Sequence, residues 1–441
     1  MIVAPGRSEV DVARTGLVCS LGRSPAQTIL LLRAGHSALG RTPFGRPGRV
    51  LRMCSLRDLP ADLVGFERLL QLAVPALRQA LPHPEADGET DGETDEQVPL
   101  LLALPPADRV DDDQSAAAHF TETLRDRTGL RIDIERSRTV RAGHASGARL
   151  LAHAQDLLEQ RDVTAVMVGG VDSYYHPELL RELDHDERLI GAGNTDGFLP
   201  GEAAAFVLLR RPSQPSAEVA PTGSEGADLL PAAQPRLCSA AAGFIPPETI
   251  QAAAAWWREA HSEPKPTAAG QTRRPAGGRL LASARRARGR ARLALRRLAR
   301  NSLVGGSSWW RQRHQSKGRK RRGQQDTKEL PPDVTITMTE LTEGVMAVRS
   351  EGAVDWVLSD FNHGAERTDQ WEKVARRLLD PEVVHSRLIG ELGDVGAATM
   401  PTLLALACAH FELGCAPAPA ALLAAHSDDG ERGVVLLREA P

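Results

Sequence analysis

Five residues, Gly143-His144-Ala145-Ser146-Gly147, join an extended run, Ile132–Val140, to an apolar helical stretch that begins at about Ala145. A strand-to-helix turn of this kind puts one side chain, His144, at the helix N-terminus. Free backbone N–H groups and the positive end of the helix dipole converge there. Such a place suits a nucleophile, an oxyanion or a bound anion. Ser146 is expected to cap the helix. The flanking glycines do not make a G-x-S-x-G elbow.

The neighbouring elements must hold that turn. In the helix, about Ala145–Gln160, Leu150, Leu151, Ala154, Leu157 and Leu158 cover most of the circumference, which predicts burial on all sides. Thr164–Val168 reads as a parallel strand covered on both faces, with Gly169-Gly170 expected to end it. Upstream, Val10–Ser20 and Val98–Leu104 read as strands, and Pro25–Gly35, Pro60–Leu81 and Gln114–Thr128 as helices. Pro212–Gln234 has linker composition. Arg236–Phe244 reads as a strand and Pro247–Ala260 as a helix. Regular order resumes at Val334–Arg349. Val354–Leu358 and Gly433–Leu437 read as strands, Asp369–Leu379 as a helix and Thr399–Leu413 as an apolar helix.

The net charge of −3 hides an asymmetry. Gln271–Arg322 holds 18 Lys and Arg with no Asp or Glu; the rest of the chain is left with 36 basic and 57 acidic residues, a net charge near −21. A basic amphipathic stretch with Trp309-Trp310 behind it suits an anionic surface. Its composition also fits a disordered insertion. No nucleic-acid-binding motif accompanies it, so nucleic acid is not expected. Pro84–Gln97 carries seven acidic residues in a tandem Asp-Gly-Glu-Thr repeat. It lacks the spacing of a calcium loop and reads as a solvated segment. The five cysteines show no CxxC pair or zinc spacing. With no signal peptide and no apolar run long enough to span a bilayer, a reduced cytoplasmic setting is expected.

Several segments resemble the β-ketoacyl-ACP synthases, the ketosynthases of the thiolase superfamily. These are Arg14-Thr15-Gly16-Leu17-Val18-Cys19-Ser20-Leu21-Gly22, Gly143–Gly147, Val168–Ser173 and Gly197–Leu208, in that order. Asp360-Phe361-Asn362-His363-Gly364 and Ile389–Ala398 are similar to the family's two histidine loops. The resemblance covers roughly residues 10–212 and 334–438. It implies an α/β, thiolase-like layered fold of two related βα halves, with the basic, disordered insertion between them. The corresponding division is 1–212 (with the acidic segment at 84–97), 213–333 and 334–441.

The same resemblance places His144 where the family has its acyl-accepting Cys, His363 at the first catalytic His and Glu391 at the second. Condensation needs a thiolate to carry the acyl chain and two histidines to stabilise the enolate and oxyanion. An acyl-imidazole leaks to water, and a carboxylate repels a forming enolate. These substitutions imply a ketosynthase-like protein unable to condense, acting as the partner subunit of an active ketosynthase. Two further readings remain open: a decarboxylase or thioester hydrolase using His144 and Glu391 as an acid–base pair, and a scaffold using the acyl pocket. The implied partners are an acyl carrier protein or acyl-CoA thioester and a second ketosynthase-fold subunit, in a homodimer or heterodimer. An anionic surface would meet 271–322. No cofactor or metal is implied.

Overall fold

The computed structural model describes residues 9–45, 50–81, 97–191, 194, 197–212, 235–244, 338–347, 354–360, 365–387 and 389–439. They fall within one compact unit, Met1–Ile245 with Val334–Pro441. The acidic repeat, the helix read at Pro247–Ala260 and the basic stretch Gln271–Arg322 lie outside the described residues.

The strands in chain order are β1 (Val10–Cys19), β2 (Leu39–Arg41), β3 (Arg52–Cys54), β4 (Val98–Leu104), β5 (Ile132–Arg141), β6 (Ala165–Ser173), β7 (Glu202–Arg210), β8 (Pro235–Phe244), β9 (Trp356–Ser359), β10 (Val384–Arg387), β11 (Ala420–His426) and β12 (Glu431–Glu439). The helices are α1 (Pro25–Arg33), α2 (Gly65–Ala80), α3 (Gln114–Ala118), α4 (Phe120–Thr128), α5 (Ser146–Leu158), α6 (Pro177–His185), α7 (Met338–Ala347), α8 (Ala365–Leu378), α9 (Ile389–Leu392) and α10 (Thr399–Glu412).

Ten strands follow the order β10-β9-β11-β12-β8-β1-β7-β6-β4-β5. The two inner strands, β1 and β8, touch only through Val10–Leu237 and Asp11–Arg236. On either side of this short seam lies the same five-stranded unit. In one, β5, β4 and β6 are parallel and β7 and β1 alternate. In the other, β10, β9 and β11 are parallel and β12 and β8 alternate. Strand order and direction match position for position, so the two halves are related. Strand β8 lies within 213–333 and supplies one side of the seam.

The helices α5 and α10 occupy equivalent places, each following the outermost strand of its half. Both are buried nearly all round, within one core cluster that takes side chains from both five-stranded units. The two helices are the middle layer. In α10, twelve of fourteen residues are buried, and each fully buried Leu contributes about 1.5–3 kcal/mol. Pro401 sits in its first turn, where no intrahelical N–H bond is lost. Helices α2 and α4 cover the outer face of the first half, and α7 and α8 that of the second.

Two local expectations are corrected. Gly169-Gly170 do not end β6, which runs on to Ser173. They sit inside the strand because a Cβ at Gly169 would enter the Phe206 ring, and one at Gly170 would stand 2.6 Å from the Ala397 carbonyl. The helix read at Gln114–Thr128 breaks at His119, whose backbone departs from helical angles.

Candidate active site

The equivalent helices α5 and α10 cross at their N-terminal ends. A Cβ on Gly147 would lie 2.7 Å from the Met400 Cβ and 2.8 Å from the Pro401 Cδ. Only glycine lets the two turns approach this closely. The turn ahead of α10 uses positive φ at Gly393 (+76°) and Gly396 (+51°). Its path is fixed by Asp394 N to the Leu199 carbonyl (2.7 Å) and Gly201 N to the Asp394 carbonyl (2.8 Å).

This packing brings His144 and Asp394 together. Nε2 of His144 lies 2.6 Å from Oδ1 of Asp394, and both side chains are buried. Burial disfavours the charged ring, but the Asp394 carboxylate overrides it, so the His144 pKa is raised above its ordinary value of 6.5. Asp394 shows the complementary result: burial pushes its pKa up, yet the His144 ring and the Arg367 guanidinium bring it below normal. The same oxygen accepts the Gly396 N–H at 3.0 Å and faces the Tyr174 hydroxyl at 3.4 Å. The carboxylate therefore favours the protonated ring, and the ring favours the ionised carboxylate. Nδ1 of His144 is buried without a hydrogen-bond partner.

A wider ion cluster surrounds the pair. Arg367 on α8 stands 3.9 Å from Asp394, 3.2 Å from Asp360 and 3.0 Å from Asp428. Asp428 also pairs with Arg188. Asp360 receives the His426 N–H at 2.7 Å and faces His426 Nδ1 at 2.9 Å. Despite burial, Arg367 holds Asp360 far below the usual carboxylate range, and Arg188 and Arg367 do the same for the exposed Asp428. Burial keeps His426 below normal, hence neutral near pH 7. Arg188 and Arg367 thus face three carboxylates, Asp360, Asp394 and Asp428, an excess of negative charge that favours protonation of His144.

The N–H groups that the sequence left open at the turn are partly taken. Ala145 N–H donates to the Ser427 hydroxyl at 2.9 Å, and Ser146 N–H to the Gly143 carbonyl at 3.2 Å. The Ser146 hydroxyl donates to that carbonyl at 2.6 Å and is not the accepting cap expected.

The other two candidate residues are placed differently. Glu391 sits in α9, one turn before Asp394, and its backbone carbonyl accepts from Ala38 N (3.2 Å) and Cys54 Sγ (3.4 Å). The carboxylate on His144 belongs to Asp394, so the structure does not form the His144–Glu391 pair. His363 lies outside the described residues. Sequence reasoning did not single out Arg367, Asp360, His426 or Asp428. Asp394 was visible only as one residue of the second loop motif.

Two structural ion pairs support the site. Glu202 is fully buried and held by Arg68 through Nε–Oε2 (2.6 Å) and Nη2–Oε1 (2.7 Å), with Leu56 N and Ser173 Oγ completing its bonds at 2.7 Å each. Asp172 joins Arg109 at 2.5 Å to the Ala397 N–H at 2.8 Å. Arg109 also lines a shallow cleft at the ends of β4, β5 and β6, with Phe66, Pro105, Arg141 and Tyr175. Neither His144 nor Asp394 lines it.

The layered fold of two related five-stranded halves is thiolase-like and similar to that of known ketosynthases. Residues 136–214 match the family model described as Beta-ketoacyl synthase, N-terminal domain, the segment that carries the His144 turn, β6 and β7. No curated protein matches the sequence. Among solved structures, the chain is similar to the ishigamide ketosynthase/chain length factor, with 18% identity and TM-score 0.56 over 98% of this chain and 100% of the other. It is also similar to a ketosynthase in complex with its chain length factor from Xenorhabdus doucetiae, with 12% identity, TM-score 0.54 and full coverage of both chains. A third is the ketosynthase from module 6 of the bacillaene synthase of Bacillus subtilis 168, with 10% identity and TM-score 0.56 over 98% and 72%.

Proposed function

We propose that this chain is a non-condensing subunit of the ketosynthase type, acting in fatty acid or polyketide acyl transfer beside an active ketosynthase. The observation that carries this reading is the buried His144–Asp394 ion pair. A condensing enzyme needs an uncommitted nucleophile at this turn. Here Nε2 is committed to Asp394 in a buried contact of 2.6 Å, and the carboxylate favours the protonated ring, which has no lone pair with which to attack a thioester. The absence of Glu391 from the pair removes support from the acid–base reading in its original form.

The partner in this reading is a second subunit of the same fold that supplies the thiol. An acyl carrier protein or acyl-CoA delivers the chain to that subunit. All five cysteines are free, in keeping with a reducing, cytoplasmic setting. Among the described residues, no helix is long and apolar enough to cross a membrane.

Two measurements test the proposal. Intact-protein mass after incubation with acyl-CoA and acyl carrier protein donors should show no adduct on the purified chain. Co-expression with a Cys-containing ketosynthase should give a one-to-one complex. A stable acyl adduct at His144, or condensation by the chain alone, would sink the reading.

A further inference from the structure

The turn between β11 and β12, residues 427–430, is held by both halves of the molecule. On the first half, the Ala145 N–H donates to the Ser427 hydroxyl at 2.9 Å, and a Cβ on Gly143 would stand 2.6 Å from the Ser427 Cβ. Arg149 of α5 faces Glu431 at 3.5 Å, and Arg188 pairs with Asp428. On the second half, Arg367 reaches Asp428 at 3.0 Å. Arg432 donates to the Ser427 carbonyl at 2.6 Å and to Gln370 at 2.7 Å. Within the turn, Asp429 accepts the Glu431 N–H at 3.1 Å. The turn thus lies against the entrance to α5, where His144 stands.

His426, the last residue of β11, leads into this turn, and its side chain is fully buried. Its backbone N–H donates to Asp360 Oδ2 at 2.7 Å, and its Nδ1 lies 2.9 Å from Oδ1. Nε2 has no hydrogen-bond partner. The direct cross-strand partner of His426 is Arg432, which is also buried. A neutral ring fits this place and a charged one does not. Protonation would bury an Nε2–H without an acceptor and set a cation directly opposite Arg432. Asp360 offers limited relief, because Arg367 at 3.2 Å and the backbone N–H already share it. Burial, helped by Arg432 and Arg367, outweighs Asp360 and holds the ring below its ordinary value of 6.5.

We propose that His426 is an acid-sensing residue: protonation of its ring releases the β11–β12 turn and uncovers the His144–Asp394 pair. Once the turn opens, the ring is hydrated and takes up the proton that the closed state resists. Opening is therefore favoured as pH falls through 6.5 toward the ring's lower folded value. The neighbouring groups do not share this sign. The contribution of His144 is complete below 6.5. Burial raises Glu431 above 4.5, so acid favours its closed state. Asp360, Asp394 and Asp428 lie below 3.8 and stay ionised above it. Arg149, Arg188, Arg367 and Arg432 keep their charge throughout.

Hydrogen exchange on the full-length chain tests this, read as protection factors so that the intrinsic pH dependence cancels. Between pH 6.5 and 4.5, protection of the Ala145 and Ser427 amides should fall by up to about tenfold per pH unit, while the Leu403–Leu406 amides of α10 hold. His426→Asn keeps a donor toward Asp360 and cannot titrate. Its protection at the same two amides should change less than about twofold over that range. The wild-type His426 ring resonances, followed by NMR, should titrate below 6.5 over the interval in which exchange accelerates. The wild-type exchange profile and the ring titration decide the matter even without the variant. A flat wild-type profile, the same decline in His426→Asn, a parallel decline along α10, or a ring that titrates at or above 6.5 would each overturn the proposal.

Discussion

His144 and Asp394 stand 250 positions apart in sequence and 2.6 Å apart in space, at the entrances to two equivalent helices. Each half of the molecule contributes one member of the pair. The contact thus joins the halves electrostatically at the point where Gly147 already lets α5 and α10 meet.

The pair gives stability a defined pH dependence. His144 has a folded pKa above 6.5, so its contribution is complete below 6.5 and is lost as pH rises through the folded value. Asp394 has a folded pKa below 3.8, so its contribution is complete above 3.8 and is lost as pH falls through the folded value. The pair is therefore most effective between those two values. Asp394→Asn should cost about 3–5 kcal/mol in that window. It should also remove the decline on the alkaline side. Thermal melts of both proteins across this range and above it check the sign; an unchanged alkaline limb would contradict the ion pair.

A sulfur at position 144 would not by itself restore acylation. In His144→Cys the buried Asp394 carboxylate would face the thiol and raise its pKa, suppressing the thiolate. Removing the carboxylate as well, in His144→Cys/Asp394→Ala, should give faster adduct formation with acyl-CoA than the single variant. Mass spectrometry of the two proteins at matched times decides the order.

The Arg68–Glu202 pair should show strong coupling. Arg68→Met leaves Glu202 fully buried without its bidentate partner, which costs about 3–5 kcal/mol. Replacing both residues by apolar side chains should cost less than the sum of the single changes. A denaturant-based double-mutant cycle measures this, with additivity as the outcome that counts against it.

The helix crossing predicts a steric effect. Gly147→Ala adds a methyl group where Met400 and Pro401 already stand within 2.8 Å. The expected loss is about 1–3 kcal/mol. Gly191→Ala, where a Cβ meets nothing within 4 Å, is the matched control. Equal melting temperatures for the two variants would mean that the crossing relaxes at no cost.

Much of the fold was legible in the residues. The apolar run Val98–Leu104 is strand β4 to the residue, and the helix read at Thr399–Leu413 is α10 to within one residue. His144 does stand at the entrance to a buried helix. Periodicity and local propensity report burial and element type, and those are what these segments encode. Gly169-Gly170 misled because a glycine pair marks a turn locally, whereas here it makes room for Phe206 and the Ala397 carbonyl.

What the sequence could not settle was the company His144 keeps. Glu391, in α9, and Asp394, in the turn after it, lie three residues apart, and either carboxylate is close enough along the chain to be its partner. The choice follows from the positive φ at Gly393 and Gly396 and from the register that ties Pro200 and Gly201 to that loop. Arg367, Asp360 and Asp428 come from three other elements and meet only after the second half has assembled. Pattern along a chain fixes which faces are buried; the packing of loops brought in by distant strands fixes which charges meet.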